Sequence, residues 1–172
     1  MMDEKVILLV EDNPDDEELT LFAIRASNIL NKVVVARDGA EMLDYLFGAG
    51  KWAGRDPSQR PQIILLDLKM PKLGGLEALE RLRADPRTGL IPVVVLSSSS
   101  EEEDVIASYR LGANSYVRKP VEFHRFMDAV RQLGEYWLLL NEALPQRPTG
   151  KILPAFYTEA GRRLANASNE PS

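Results

Sequence analysis

Residues 7–16 read ILLVEDNPDD, where a run of apolar residues leads directly into a cluster of acids. The apolar run in KVILLV (5–10) is continuous rather than alternating, which is typical of a strand buried on both faces. Asn13 followed by Pro14 is a typical helix start, because it places an N-cap residue before a proline at the first helical position. The stretch therefore predicts a buried strand, an acidic turn and a helix that extends to about residue 29.

The alternation of strand and helix continues along the chain. Four more segments predict strands: KVVVA (32–36), QIILLDL (62–68), IPVVVLS (91–97) and the short SYVRK (115–119). Helices are predicted after each strand, with capping boxes at Asp38–Glu41 and Ser100–Glu103 and a last helix from Val121 to about Leu140. Five strands that alternate with five helices predict an α/β fold with a parallel sheet and helices on both faces.

Composition and segment boundaries limit the class of protein. The chain has 172 residues, 45% of them hydrophobic, a net charge of −5 and no cysteine. We expect a cytoplasmic protein that binds neither nucleic acid nor membrane, because the sequence has no basic stripe, signal peptide or long apolar run. Glycines and prolines in 48–61 predict a loop. We expect one domain over residues 1–144, followed by a tail (145–172) with a linker and a possible short helix.

Polar residues follow the predicted strands at the points where the strands end. They are Glu11 and Asp12 after the first strand, Asp67 in the third, Ser97 in the fourth and Lys119 in the fifth. Each one alone has an ordinary explanation as a helix cap, a loop hydroxyl or a solvated charge. Because ligands bind beyond the carboxyl ends of parallel strands, their shared position predicts a functional site.

Four segments together resemble the motifs of two-component response-regulator receiver domains: ILLVEDNPDD, IILLDLKMPKLGGLEAL, PVVVLSSSS and ANSYVRKP. The resemblance covers about residues 5–140. It implies a flavodoxin-like, doubly wound five-stranded sheet with strand order 2-1-3-4-5. It also implies a regulator that accepts a phosphoryl group from a sensor histidine kinase and signals to protein partners. VEDNP, the loop 48–61, SSSSEEED and EYWLLL further resemble single-domain regulators paired with bacterial phytochromes.

The resemblance implies a role for each of seven residues. Asp67 matches the phospho-accepting aspartate, and Glu11 and Asp12 match the acidic pair that helps bind Mg²⁺. Lys69 matches the position whose backbone carbonyl binds the metal, and Lys119 matches the lysine of the family. Ser97 and Tyr116 match the switch pair. Tyr116 has the alternative of being an ordinary packing residue. The bond between Lys119 and Pro120 matches one that is typically cis in the family.

The residue chemistry agrees with these roles. Neighbouring carboxylates repel one another unless a cation lies among them, and a site of hard oxygens without His or Cys favours magnesium over zinc. Asp67 can attack a phosphoryl group in line to form an acyl phosphate, while Lys119 neutralises charge on the phosphoryl oxygens. Ser97 can then move to bind the phosphoryl group, and Tyr116 can swing inward. We expect a signalling protein that assists its own phosphotransfer and dephosphorylation, not an enzyme.

Three alternatives remain open. A haloacid-dehalogenase-type phosphatase also uses a nucleophilic Asp after a strand, but its pattern has a second Asp where this chain has Lys69. A flavodoxin-like cofactor binder could use the serine run 97–100 to bind phosphate at a helix N-terminus. A receiver that is not phosphorylated could act as a scaffold, although all the chemical positions are intact.

The last predicted helix has more apolar residues than one buried stripe requires. The stripe contains Phe123, Phe126, Val130, Leu133, Trp137 and Leu140, and the surplus contains Met127, Tyr136, Leu138, Leu139 and Leu144. An exposed apolar patch usually marks a partner surface. We expect a homodimer built on the last helix and the strand 115–119. The alternative is that apolar residues of the tail cover the patch within one chain.

Overall fold

The computed structural model describes residues 5–145, which form a sheet of five parallel strands in the order β2-β1-β3-β4-β5. The strands are β1 (Val6–Val10), β2 (Lys32–Ala36), β3 (Ile63–Leu66), β4 (Val93–Ser97) and β5 (Ser115–Arg118). The helices are α1 (Pro14–Ala26), α2 (Gly39–Phe47), α3 (Gly75–Ala84), α4 (Glu102–Arg110) and α5 (Phe123–Gly134). A 3-10 turn at Gly50–Trp52 interrupts the predicted loop, and π turns follow α5 over Glu135–Leu140. The predicted fold and strand order are confirmed, while the predicted tail (145–172) lies outside the described residues except for residue 145.

The sheet is covered on both faces, and its central strands β1 and β3 are apolar at every position. All five residues of β1 are buried. Successive side chains of a strand point to opposite faces. Leu8 and Val10 accordingly pack in a core with residues of α2 and α3. Ile7 and Leu9 belong to the core on the opposite face, which α1 and α5 cover. Within residues 5–145, no helix is long and apolar enough to cross a membrane.

The predicted start of α1 is confirmed. The side chain of Asn13 accepts hydrogen bonds from the backbone N–H groups of Asp15 and Asp16, and Pro14 is the first helical residue. The helix ends at Ala26 rather than near residue 29. Asn28 adopts a left-handed conformation with φ of 57°, and this conformation cannot continue a right-handed helix.

Asp38 caps α2 as predicted, but the capping box expected at Ser100 and Glu103 is wrong. Asp38 accepts a hydrogen bond of 2.8 Å from the backbone N–H of Glu41. In the chain after β4, Ser99 is buried whereas Ser100 is exposed, since extended residues alternate between faces. Ser99 Oγ therefore receives the N–H of Glu101 and donates to Asp104 Oδ2 at 2.5 Å.

The prediction for the peptide bond before Pro120 is also wrong. No cis peptide bond occurs among the described residues, so the expected cis bond is trans in this structure. Either isomer is accessible to an X–Pro bond, because the two differ by only about 0.5–1 kcal/mol.

The last helix differs from its predicted pattern at both ends. It begins at Phe123, where the side chain of Glu122 accepts the N–H of His124, and Phe123 is 46% exposed rather than buried. After Gly134 the wider π turns rotate each residue by a smaller angle than an α-helix does. Leu138 is consequently buried and Leu140 is 77% exposed, the reverse of the predicted stripe.

Helix α3 lies directly against the backbone that leads out of β3. A Cβ atom on Gly75 would collide with the carbonyl oxygen of Asp67 and would lie 2.8 Å from Cα of Leu68. The N–H of Gly75 donates to the carbonyl of Leu68 at 2.9 Å. Only glycine permits this approach, which holds the segment at Asp67 close to α3.

Candidate functional site

The carboxyl ends of four adjacent strands bring the predicted site residues together. Glu11 and Asp12 follow β1, Asp67 follows β3, Ser97 ends β4, and Lys119 follows β5. Two backbone hydrogen bonds continue the strand ladders into the site. The N–H of Asp67 donates to the carbonyl oxygen of Val10 at 3.0 Å, and the N–H of Lys119 donates to the carbonyl oxygen of Ser97 at 2.8 Å. Strand pairing, rather than loop conformation, therefore sets the positions of Asp67 and Lys119.

Three carboxylates form a compact cluster at this edge. Glu11, Asp12 and Asp67 each offer an oxygen atom that lies within 4.8 Å of the other two. Glu11 is only 2% exposed, while Asp12 and Asp67 are partly buried. Asp67 Oδ1 also accepts the backbone N–H of Leu68 at 2.8 Å, so its carboxylate is held in one orientation. The cluster concentrates negative charge where water is limited.

Lys119 is the cation that faces these acids. Its ammonium group lies 2.6 Å from Glu11 Oε2 and 3.3 Å from Asp16 Oδ2. The Lys119 side chain is 11% exposed and the Glu11 side chain 3% exposed, so this pair is buried. The other carboxylate oxygen of Glu11 accepts the N–H of Asn13 at 3.2 Å. Glu11 thus joins the start of α1 to the end of β5.

The acids are harder to ionise than free carboxyl groups. Burial raises the pKa of Glu11 from 4.5 to about 7, and the hydrogen bond from Lys119 only partly opposes this shift. Burial likewise raises the pKa of Asp67, against the opposing charge of Lys119. Burial alone would lower the pKa of Lys119, but its hydrogen bond with Glu11 and the nearby carboxylates raise it above its ordinary value. An additional positive charge at the cluster would favour the ionised acids.

The donor set fits a hard divalent cation. The clustered ligand atoms are carboxylate oxygens, which suit Mg²⁺, Mn²⁺ or Ca²⁺ better than softer metals. Asp12 is more exposed than Glu11, and Glu11 already binds Lys119. We therefore expect Asp12 and Asp67 to be direct ligands and Glu11 to act at longer range. The metal role of the Lys69 carbonyl stays a prediction.

Ser97 and Tyr116 are connected through Ser99. Ser97 is buried, and its Oγ accepts the backbone N–H of Ser99 at 3.2 Å. The hydroxyl of Tyr116 donates to the backbone carbonyl of Ser99 at 2.9 Å, and its ring is partly buried against the core. A change in the position of Ser97 would therefore alter the segment that holds the Tyr116 hydroxyl.

Sequence reasoning missed two polar residues at this site. Asp16 contacts Lys119 from the first turn of α1, and Ser99 links the β4–α4 segment to Asp104 and Tyr116. An acid in a first helical turn is most simply explained by the helix dipole, so Asp16 gave no separate signal. The alternation of Ser97 and Ser99 on one face of an extended segment could have identified Ser99.

Comparisons with known proteins agree with this geometry. The family model described as the response regulator receiver domain matches residues 7–131. The response regulator Rcp1 of Synechocystis sp. is 39% identical over 134 residues, which cover 78% of this chain and 89% of Rcp1.

Three solved structures have the same fold as this chain. The phosphorylated cyanobacterial phytochrome response regulator RcpA has a TM-score of 0.76 at 39% identity and covers 83% of this chain and 99% of its own. The Mn²⁺-bound form of Rcp1 has a TM-score of 0.75 at 36% identity and covers 82% and 99%, respectively. The bacteriophytochrome response regulator AtBRR has a TM-score of 0.65 at 52% identity and covers 80% and 98%.

Removing Asp12 should weaken binding of a divalent cation. At about 100 times its dissociation constant, a bound cation should raise the free energy of unfolding by about 2.7 kcal/mol. We expect Asp12→Ala to lose most of this stabilisation at the same concentration, as measured by urea unfolding with Mg²⁺, Mn²⁺ or a chelator. Asp15→Ala, which changes an exposed acid of α1, is the matched control. Equal stabilisation of Asp12→Ala and the control would contradict the assignment of Asp12 as a ligand.

Proposed function

The chain belongs to the family of response regulator receiver domains, and we propose that it accepts a phosphoryl group from a sensor histidine kinase on Asp67. The position of Asp67 carries this proposal. It follows the central strand β3, clusters with Glu11 and Asp12, and interacts electrostatically with Lys119. Of the three clustered acids, Glu11 is buried against Lys119, whereas Asp67 follows the central strand and accepts no hydrogen bond from the lysine.

The proposed transfer uses the Asp67 carboxylate as the nucleophile. One carboxylate oxygen forms a bond to phosphorus while the bond from phosphorus to the kinase imidazole breaks, and the electron pair of that bond remains on the imidazole nitrogen. Lys119 directs an N–H toward the phosphoryl oxygens and offsets their charge. Asp12 and Asp67, with Glu11 nearby, would hold Mg²⁺, which would supply further neutralisation of those oxygens. Hydrolysis of the acyl phosphate then restores Asp67.

This chemistry makes the protein a phospho-accepting signalling protein rather than an enzyme with a separate substrate. Lys69 stands where a haloacid-dehalogenase-type phosphatase needs a second aspartate, so a general acid is missing at that position. The family match also favours a receiver over a flavodoxin-like cofactor binder.

The proposed output begins with the Ser97 hydroxyl. A phosphoryl group on Asp67 adds up to about two negative charges and strong hydrogen-bond acceptors near Ser97. We propose that the Ser97 side chain moves toward this group to donate its hydroxyl hydrogen, which alters its present contact with the N–H of Ser99. The carbonyl of Ser99 accepts the Tyr116 hydroxyl, and its side chain donates to Asp104, so the change reaches β5 and the start of α4.

The proposed kinase partner is a bacterial phytochrome, because relatives that cover most of this chain are phytochrome response regulators. We assign its docking surface to an aromatic patch formed by Phe22 and Phe123. Phe22 and Phe123 are 54% and 46% exposed, with ring centroids 6.2 Å apart. The patch lies on the two helices that follow site residues in the chain: Phe22 is on α1, after Asp12, and Phe123 begins α5, after Lys119. An apolar face of a kinase helix that carries the phosphohistidine fits this surface.

We also propose a homodimer through the end of the last helix. Apolar side chains are exposed there at Tyr136, Leu139, Leu140 and Leu144. A groove between β5 and α5, lined in part by Val117, Leu133 and Trp137, adjoins them. A two-fold axis would place the same patch on both partners, so each copy would cover the other. The apolar tail residues that form the alternative cover lie outside the described residues.

Phosphorylation should depend on Asp67. Incubation with acetyl phosphate and Mg²⁺ should add one phosphate to the wild-type protein, measured as intact mass. Asp67→Asn should show no such gain, because an amide cannot form the acyl phosphate, whereas the exposed control Asp15→Asn should also gain one phosphate. An unchanged gain of phosphate in Asp67→Asn would remove the assignment.

The aromatic patch should matter for the kinase but not for a small donor. Truncating a well-packed interface aromatic typically costs more than 1 kcal/mol, so Phe22→Ala and Phe123→Ala should each slow transfer from a phytochrome kinase by about tenfold. Their labelling by acetyl phosphate should stay at the wild-type rate. Ile106→Ala, which truncates an exposed residue of α4, is the control. Normal kinase transfer in both Phe variants would place the docking surface elsewhere.

The dimer should be sensitive to charge at the exposed leucines. Light scattering on the full chain at tens of micromolar should give twice the chain mass, and Leu139→Asp combined with Leu140→Asp should give the monomer mass, because buried unpaired carboxylates oppose association. Leu90→Asp changes an exposed leucine before β4 and should leave the dimer intact. A wild-type monomer, phosphorylated or not, would refute this dimer.

A further inference from the structure

The Lys119 ammonium group is shared unequally between two carboxylates. Glu11 lies 2.6 Å away with its side chain 3% exposed, whereas Asp16 lies 3.3 Å away with its side chain 45% exposed. Short contacts between buried charges are stronger than longer contacts at the surface, which water and salt screen. Asp16 is therefore the weaker of the two partners and the easier one for Lys119 to leave.

Asp16 is held in place by the start of α1. Its backbone N–H donates to Asn13 Oδ1 at 3.2 Å, and its carbonyl accepts the Thr20 hydroxyl at 2.7 Å. The carboxylate thus projects from a capped first turn, while Lys119 is held by its backbone bond to Ser97. The contact joins two rigid elements and draws the ammonium group toward α1. In the described part of the chain, the side chain of Lys119 donates to Glu11 and Asp16 and not to Asp67.

We propose that Asp16 is a positioning residue that restrains Lys119 in the unphosphorylated protein and releases it when Asp67 receives a phosphoryl group. This inference rests on the proposed function of Asp67. The incoming phosphoryl group offers more negative charge than one carboxylate, so Lys119 exchanges the Asp16 contact for a phosphoryl oxygen and keeps Glu11. Breaking the Asp16 contact is a cost of the transfer step. Asp16 consequently slows phosphorylation and favours loss of the phosphoryl group.

The experiment compares Asp16→Asn with Asp15→Asn in the full chain. Both changes remove one negative charge from the same helical turn, but only Asp16 contacts Lys119. The phosphorylation rate is measured at increasing concentrations of acetyl phosphate with Mg²⁺. The resulting curve gives the maximal rate and, separately, the donor concentration at which the rate is half-maximal. The shared loss of charge eases approach of the anionic donor in both variants. Asp16→Asn alone should raise the maximal rate, by about two- to fivefold for a partly exposed ion pair, and should lengthen the phosphorylated lifetime.

Two further measurements exclude a general structural effect. Asp16→Glu keeps a carboxylate in the same turn and should return the maximal rate to that of the wild type. In chelator, without any donor, the NMR signal of the Lys119 ammonium group should shift in Asp16→Asn and remain unchanged in Asp15→Asn. Equal thermal unfolding midpoints of the two Asn variants would show that both are folded alike.

The outcomes separate this inference from the proposed function. If the wild type is phosphorylated on Asp67 but Asp16→Asn has the same maximal rate as Asp15→Asn, the Asp16 inference is wrong and the proposed function stands. A lower maximal rate in Asp16→Asn would also overturn it, since Asp16 would then assist Lys119 rather than restrain it. If the wild type gains no phosphate, the proposed function fails and the inference fails with it.

Discussion

The site depends on one buried ion pair between Lys119 and Glu11. Three carboxylates meet at the ends of β1 and β3, and burial makes their ionisation unfavourable. Lys119 reaches them because the pairing of β5 with β4 continues into its own backbone N–H. Without this cation, Glu11 would be a buried carboxylate without an opposite charge, which is strongly destabilising. The order of the strands is thus a condition for the chemistry as well as for the core.

The site at the strand ends makes polar contacts with helices on both faces of the sheet. On one side, Glu11 and Asp16 connect Lys119 to the start of α1, beside the exposed aromatic patch. On the other side, Ser97 and Ser99 connect the site to Tyr116 and to α4. A change of charge at Asp67 therefore lies close to both sets of contacts. Short polar connections of this kind let a local change of charge shift the position of a larger element.

The departures from the predicted elements have local physical causes that patterns of residue types do not contain. Ser99, rather than Ser100, makes the serine contacts to the start of α4, because the segment after β4 is still extended and points alternate residues inward. Leu138 is buried and Leu140 is exposed, the reverse of the prediction, because the last helix widens into π turns after Gly134. A period of 3.6 residues, assumed for the whole helix, correctly places Phe126 and Val130 but fails beyond that change of geometry.

The sequence by itself determined the fold and the polar residues that the strand ends bring to the site. Apolar runs identified most of the strands, and residues at the ends of the strands had to meet at one edge of a parallel sheet. Only the tertiary structure decided how those residues are partnered. Lys119 and Asp16 are 103 residues apart in the chain, and nothing in the local pattern of either indicates the other. Their contact results from the packing of α1 and the pairing of β5, which depend on residues far apart in the chain. The sequence patterns of strands and caps involve only a few consecutive residues.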